Sequence, residues 1–199
     1  MDEKTLLKIE FDKILNMLVD CCGSVLGKEL ASSLEPGKVY FEVQKGLNET
    51  TEAKEILRFN PSFSLGGIRD IRNSVERAAL GGILEPEEFI DIADTCAASR
   101  KTKSFLSNLK GSYPLIMELG KSLNLFKSLE TAVGETIGDD GSVLDTASDK
   151  LYTIRKKIRT CQDRIKDKLE SLIKNPHTAK YLQDSLVTIR SDRYVIPVK

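Results

Sequence analysis

Apolar residues in the first 60 positions recur every three or four residues, which is the spacing of one face of an α-helix. This pattern predicts a helix over residues 7–22 and a second helix that Ser24 caps and that ends at Glu35-Pro36-Gly37. A third helix is predicted from 42 to about 58, and an irregular loop over residues 60–67 follows it. The first two helices are short and consecutive, so we expect them to pack as a hairpin.

The middle of the chain continues the helical pattern. Residues 68–79 predict a fourth helix, and Pro86 predicts the first turn of a fifth, because proline is favoured at that position. The fifth helix should run to Leu106 or Leu109, and one or two shorter helices should follow within residues 113–129. None of these segments repeats another, so the pattern predicts an irregular helical bundle rather than a solenoid.

The helical pattern breaks once before the last quarter of the chain. Ile137 and Val143 flank Asp139-Asp140-Gly141, a sequence typical of a tight hairpin turn, so we expect a small β-ribbon here. Thr146 and Asp149 then predict a capping box for the longest helix of the chain, with Asp in the place that Glu or Gln usually takes.

The longest helix is predicted over Ser148–Lys174. Its apolar residues follow each other at steps of three and four, with one slip after Ile165, as in a coiled coil: Leu151, Ile154, Ile158, Cys161, Ile165, Leu169 and Leu172. At about 1.5 Å per residue the helix would be about 40 Å long, so we expect part of it to project beyond the bundle. A narrow apolar line indicates a narrow partner, most simply one antiparallel helix.

The last residues predict a β-hairpin. Val187 and Ile189 alternate with polar residues, residues 190–193 form the turn, and residues 194–198 return, with Pro197 at an edge or strand end. A two-stranded hairpin alone is marginally stable in water. We therefore expect the chain to be the front part of a longer protein, whose later residues complete the sheet and pair with the long helix.

Composition indicates a globular protein of the soluble class. The chain is 40% hydrophobic, 30% charged and 6% aromatic, and it contains no Trp. No apolar run reaches the roughly 20 residues of a membrane span, and the acidic start does not resemble a signal peptide. We therefore predict a cytoplasmic protein with no membrane partner.

Candidate catalytic chemistry is sparse. Cys21, Cys22, Cys96 and Cys161 include no C-x-x-C pair, and the last two lie in helical apolar patterns, so buried free thiols are expected. His177 is the only histidine, and we predict that it is a solvent-facing loop residue. Neither a histidine-rich zinc site nor a Ser/His/Asp triad is supported, so we predict no catalysis, metal or cofactor in this segment.

Charge is unevenly distributed although the net charge is zero. Residues 1–149 carry 17 Lys and Arg against 25 Asp and Glu, whereas residues 150–199 carry 13 against 5. Such asymmetry indicates a nucleic-acid-facing part on an acidic body, but a solvated helix face also collects lysines. Arg190 and Arg193 favour the first interpretation, because a hairpin at the end of an arm is where a partner is touched.

In four segments the chain resembles the amino-terminal part of the second bacterial MutS paralogue, the recombination-suppressing endonuclease type of MutS protein. These segments are LGKELASSLEP (26–36), LGGIRDIRNSVERAALGGILEPEEFIDIADTCAASR (65–100), DDGSVLDTASDKLYTIRKKIR (139–159) and KYLQDSLVTIRSDRYVIPVK (180–199). The resemblance covers essentially the whole chain, and the last segment is the most specific. Two positions depart from the family pattern: Glu85 stands where a Ser cap is common, and Cys21-Cys22 is unusual.

The resemblance implies a mainly α fold, with a helical core domain (residues 1–146), one long projecting lever helix (147–180), minor β-hairpins and the start of a clamp hairpin (181–199). It implies the noncatalytic DNA-binding and scaffolding part of an ATPase and endonuclease. Such proteins bind branched DNA, suppress homologous recombination and form homodimers, and some act on collided ribosomes. Their ATP and Mg belong to the carboxy-terminal part, outside this chain.

Candidate nucleic-acid contacts are therefore the basic residues of the predicted hairpin and lever helix: Arg190, Arg193, Lys199, Arg155, Lys156, Arg159 and Lys166. These side chains would contact DNA phosphates, which position a nucleic acid without reading its sequence. The alternative is a helical protein-interaction module whose basic arm binds an acidic partner or ribosomal RNA.

Overall fold

The computed structural model describes residues 3–184, 186–191 and 193–199. Within these residues the chain forms ten α-helices, one 3₁₀ turn and one two-stranded antiparallel sheet, which confirms the predicted mainly α fold. The chain divides into two compact units, Met1–Val143 and Leu144–Lys199. The finer division into core, lever and clamp stays a prediction.

The helices of the first unit broadly follow the apolar spacing. They are α1 (Glu3–Lys8), α2 (Phe11–Cys21), α3 (Val25–Ser32), α4 (Tyr40–Phe59), α5 (Arg72–Ala79), α6 (Pro86–Ser107), α7 (Pro114–Lys121) and α8 (Lys127–Thr136). The main difference is Glu10, whose left-handed backbone (φ 56°) separates α1 from α2 where one helix was predicted. The N–H of Glu10 bonds to the carbonyl of Leu7 at the end of α1, and its own carbonyl accepts the N–H of Lys13 at the start of α2.

Two helices of this unit begin with the caps that their sequences predict. The hydroxyl oxygen of Ser24 accepts the N–H of Gly27 at 3.0 Å, at the start of α3. In α6, Pro86 occupies the first turn and the Glu88 carboxylate accepts the N–H of Glu85 at 2.8 Å. These bonds satisfy backbone donors that a helix start leaves without partners inside the helix.

The core of the first unit is centred on α6. Four of the buried apolar residues that the structure describes belong to this helix: Ile92, Cys96, Ala98 and Leu106. Helix α6 packs against α7 and α8, while α4 packs against α7 and α2 packs against α3, as predicted for the first hairpin. The rings of Phe63 and Phe105 stack with their centroids 3.8 Å apart, so a loop residue also joins this core.

A carboxylate on α4 caps the start of α7. Glu52 Oε2 accepts the backbone N–H groups of Leu115 at 3.0 Å and Ile116 at 2.9 Å. Pro114 precedes them at a position where no N–H needs a partner, and Tyr113 contributes no side-chain cap. The first turn of α7 is therefore held by α4, with a negative charge at the favourable end of the helix dipole.

The predicted β-ribbon before the second unit is reduced to one bridge, between Ile137 and Val143. The N–H of Gly138 bonds to the carbonyl of Ser142 at 2.8 Å, which closes the turn. Gly141 has a φ of 77°, a conformation that favours glycine. The predicted turn is confirmed, and extended strands do not form on either side of it.

The second unit begins with a 3₁₀ turn (Asp145–Ala147) and the predicted long helix, α9 (Asp149–Lys174). The hydroxyl oxygen of Ser148 caps α9 by accepting the N–H of Leu151 at 3.2 Å. The predicted capping box of Thr146 and Asp149 is therefore wrong, because Thr146 lies within the 3₁₀ turn. The remaining elements are α10 (Pro176–Ala179), β1 (Thr188–Arg190) and β2 (Arg193–Val195).

The apolar line of α9 is an open surface. No residue of α9 is buried, and Ile154, Ile158, Ile165 and Leu172 are 42–50% exposed.

Among the described residues, no helix combines the length and the apolar character needed to cross a membrane.

The cysteines follow the helices that carry them, and all four are free thiols. Cys96 on α6 is buried, as predicted, and burial raises the pKa of its thiol. Cys161 is exposed, so the predicted buried thiol is wrong there, because α9 has no buried face. His177 is exposed, as predicted, but it lies in α10 rather than in a loop.

Candidate nucleic-acid interface

The β-hairpin brings together two of the predicted contact residues. Its register pairs Arg190 with Arg193 and Ile189 with Tyr194. Directly opposite residues of an antiparallel pair project from the same face, and successive residues alternate between faces. The two exposed guanidinium groups therefore share one face of the hairpin, and Ile189 and Tyr194 share the other.

The second face of the hairpin lies toward α9. Ile189 and Tyr194 line an open cavity of about 340 Å³ together with α9 residues that include Lys166, Leu169 and Ile173. The alternation along the strands thus directs the apolar side chains to α9 and the arginine pair to solvent. Lys166, a predicted contact, lies on the opposite side of the hairpin from that pair.

Lys199 is held apart from the arginine pair. Its backbone N–H bonds to the carbonyl of Tyr181 at 3.0 Å, next to a bridge between Leu182 and Val198. Lys199 lies six residues beyond Arg193 along the chain, so it does not face either arginine across the hairpin.

Two predicted contacts on α9 already bind a carboxylate. Asp145 accepts hydrogen bonds from Arg155 Nη1 at 2.6 Å and from Arg159 Nη2 at 2.9 Å. These hydrogen bonds hold the pKa of Asp145 below its ordinary value, so its carboxylate is ionised at neutral pH. The pair of arginines ties the 3₁₀ turn to α9, and a phosphate would have to compete with Asp145 for them.

The other basic residues of α9 form fewer ion pairs. In the part of the chain that the structure describes, the ion pairs of α9 involve Arg155, Arg159 and Lys174, and not the exposed Lys156. The sequence-based prediction missed four further exposed cations on this helix: Lys150, Lys157, Arg164 and Lys168. Their spacing of seven, seven and four residues was the signal that could have identified them.

The chain has clear relatives, although no protein-family model matches it. Endonuclease MutS2 of Symbiobacterium thermophilum is 41% identical over 199 residues, that of Geobacillus thermodenitrificans 42% over 202, and that of Pelotomaculum thermopropionicum 38% over 199. Each alignment covers 100% of this chain but only 25% or 26% of the relative, so the chain spans about a quarter of the curated relatives that it matches. The resemblance predicted from the sequence is therefore confirmed: along its whole length the chain matches one part of the MutS2 proteins.

Proposed function

We propose that this chain is a noncatalytic DNA-binding and scaffolding part of a MutS2-type protein. The observation that carries the proposal is the cross-strand pair of Arg190 and Arg193 on the solvent-facing side of the hairpin. Like charges directly opposite each other destabilise an antiparallel pair, so the arrangement favours an anion that binds between them. The phosphate backbone of DNA supplies such anions at regular intervals.

The rest of the hairpin supports this use of the arginine pair. Ile189 and Tyr194 line the open cavity beside α9, although Ile189 is still 64% exposed, so one face of the hairpin lies toward α9 and the arginine face lies toward solvent. The proposed contacts go to phosphates, which position a duplex without reading its bases, so binding should depend little on sequence.

The wider activity follows from the relatives, whose name describes an endonuclease. We propose that the whole protein is an ATPase and endonuclease that acts as a homodimer on branched DNA and suppresses recombination. ATP, Mg and the catalytic residues would belong to parts of the relatives that this chain does not span. Ribosomal RNA presents the same phosphate chemistry, so action on collided ribosomes would use the same arginine pair.

Reversing the charge of the pair tests the proposal. The variant Arg190→Glu/Arg193→Glu keeps like charges opposite each other, so the local repulsion in the hairpin is retained while attraction to phosphate is lost. Two lost phosphate contacts should weaken the binding of branched and duplex DNA about tenfold and reduce the slope of log K against log salt by about 2. Fluorescence anisotropy at several salt concentrations measures both quantities.

The matched control is Lys101→Glu/Lys110→Glu, which reverses two exposed lysines of the first unit. This control should change the affinity less than twofold. If the hairpin variant and the control behave alike, the assignment of DNA binding to the hairpin fails. Loss of binding to an acidic protein, with DNA binding intact, would instead support the protein-interaction module, which the half-exposed apolar line of α9 also suits.

A further inference from the structure

The cations of α9 are segregated on one side of the helix. Successive residues of an α-helix are about 100° apart, so residues seven apart lie nearly in line. Within α9, a sector of about 40° contains four basic residues and forms a line about 27 Å long. We call these residues the cationic row: Lys150, Lys157, Arg164 and Lys168.

No acidic side chain of α9 shares this sector. The four acidic residues of the helix lie about 60–160° around its axis from the row: Asp149, Asp163, Asp167 and Glu170. The row residues are all exposed, and none of them forms an ion pair with another residue that the structure describes. The cationic row therefore presents uncompensated positive charge.

The two arginines that do have a partner lie on another side of α9. Arg155 and Arg159 are roughly opposite the cationic row, and both bond to Asp145. The helix thus uses one pair of cations to attach to the turn before it and leaves the cationic row free.

We propose that the cationic row is a second phosphate-binding surface, which takes the backbone of a nucleic-acid duplex along α9. This inference rests on the proposed function, because it assumes that the protein binds nucleic acid. The row carries four positive charges along about 27 Å, and a duplex carries one negative charge per about 1.7 Å of its axis, so flexible Lys and Arg side chains along the row have phosphates within reach. A protein partner would need carboxylates placed along the whole length of the row, about 27 Å, whereas every duplex presents phosphates along its full length.

The second surface would contribute as many as four phosphate contacts, in addition to those of the hairpin. Four contacts would increase the salt dependence of binding by about 3.6 in the slope of log K against log salt, at about 0.9 per neutralised phosphate. Since such contacts do not read bases, the row adds affinity and orientation but no sequence preference.

The test compares three double variants of the protein binding to a 30-base-pair duplex, a length of about 100 Å that exceeds the row. Lys157→Glu/Arg164→Glu reverses the centre of the cationic row. Lys101→Glu/Lys110→Glu, the control of the hairpin test, makes the same change of charge at two exposed lysines of the first unit. Arg190→Glu/Arg193→Glu reverses the hairpin pair.

We expect the row variant to lose about tenfold or more in affinity at 0.1 M salt and to reduce the slope by about 2, with the control changed less than twofold. Lys157→Gln/Arg164→Gln, which adds no negative charge, should lose part of the same slope. Circular dichroism should show the same helix content in all variants.

The outcomes separate the two proposals. Equal behaviour of the row variant and its control overturns the cationic row, whatever the hairpin variant does. A loss in the row variant with none in the hairpin variant supports the row and refutes the hairpin proposal. A row variant that loses binding to an acidic helical peptide but not to the duplex assigns the row to a protein partner and overturns the inference.

Discussion

Removing the carboxylate of Glu52 should loosen α7 from α4. Glu52 Oε2 is the acceptor for the N–H groups of Leu115 and Ile116, at 3.0 and 2.9 Å. Loss of an N-terminal cap costs about 1 kcal/mol, and a carboxylate at a helix start contributes about 0.3–1 kcal/mol more. Glu52→Ala should therefore lower the free energy of unfolding by about 2 kcal/mol. Glu52→Gln keeps an oxygen acceptor without its charge and should lower it by about 1 kcal/mol.

Urea unfolding followed by circular dichroism measures the change. With an m-value of about 2 kcal/mol per molar, Glu52→Ala should shift the midpoint by about 1 M. Hydrogen exchange should also accelerate at the amides of Leu115 and Ile116, because these amides lose their acceptor. Glu55→Ala is the matched control, since Glu55 is an exposed residue of the same helix. If Glu52→Ala lies within about 0.5 kcal/mol of this control, or if the two amides keep their protection, the cap does not stabilise α7.

Two further predictions concern carboxylates that bind arginine. Hydrogen bonds from Arg72 lower the pKa of Asp70 from 3.8 to about 2, so their stabilisation is complete above about pH 4 and disappears as the pH falls towards 2. The difference in unfolding free energy between the wild type and Asp70→Asn should shrink over that range in urea titrations, and a constant difference would contradict the pairing. Asp145→Asn should remove the carboxylate that Arg159 binds and raise duplex affinity several-fold in anisotropy assays; unchanged affinity would show that Arg159 does not reach phosphate.

Helix positions in this chain were largely predictable because they depend on local patterns. The bounds of α6 and α9 follow from proline, caps and an apolar period, which act over a few residues. The break at Glu10 was not predictable in this way, because a single left-handed residue leaves the apolar spacing on both sides intact. The cap of α7 by Glu52 was also invisible, because its partners lie 63 and 64 residues later.

The candidate site was predictable to a smaller extent. Strand alternation placed Arg190 and Arg193 in one hairpin, and the register puts them on one face. The positions of Arg155 and Arg159 depend on Asp145, 10 and 14 residues away, which no helical pattern relates to them. The cationic row could have been found from spacing alone, since a seven-residue period is visible in the sequence.

The pairing of β1 with β2 also makes the hairpin sensitive to whether an odd or an even number of residues is inserted into a strand. Inserting one residue within β1 would shift the pairing by one position and exchange the two faces. The guanidinium groups would then face the open cavity beside α9, and Ile189 and Tyr194 would take the solvent-facing side. Insertions or deletions that keep the arginine pair on its present face should therefore involve two residues at a time. This constraint follows from strand geometry and does not depend on the identity of any side chain.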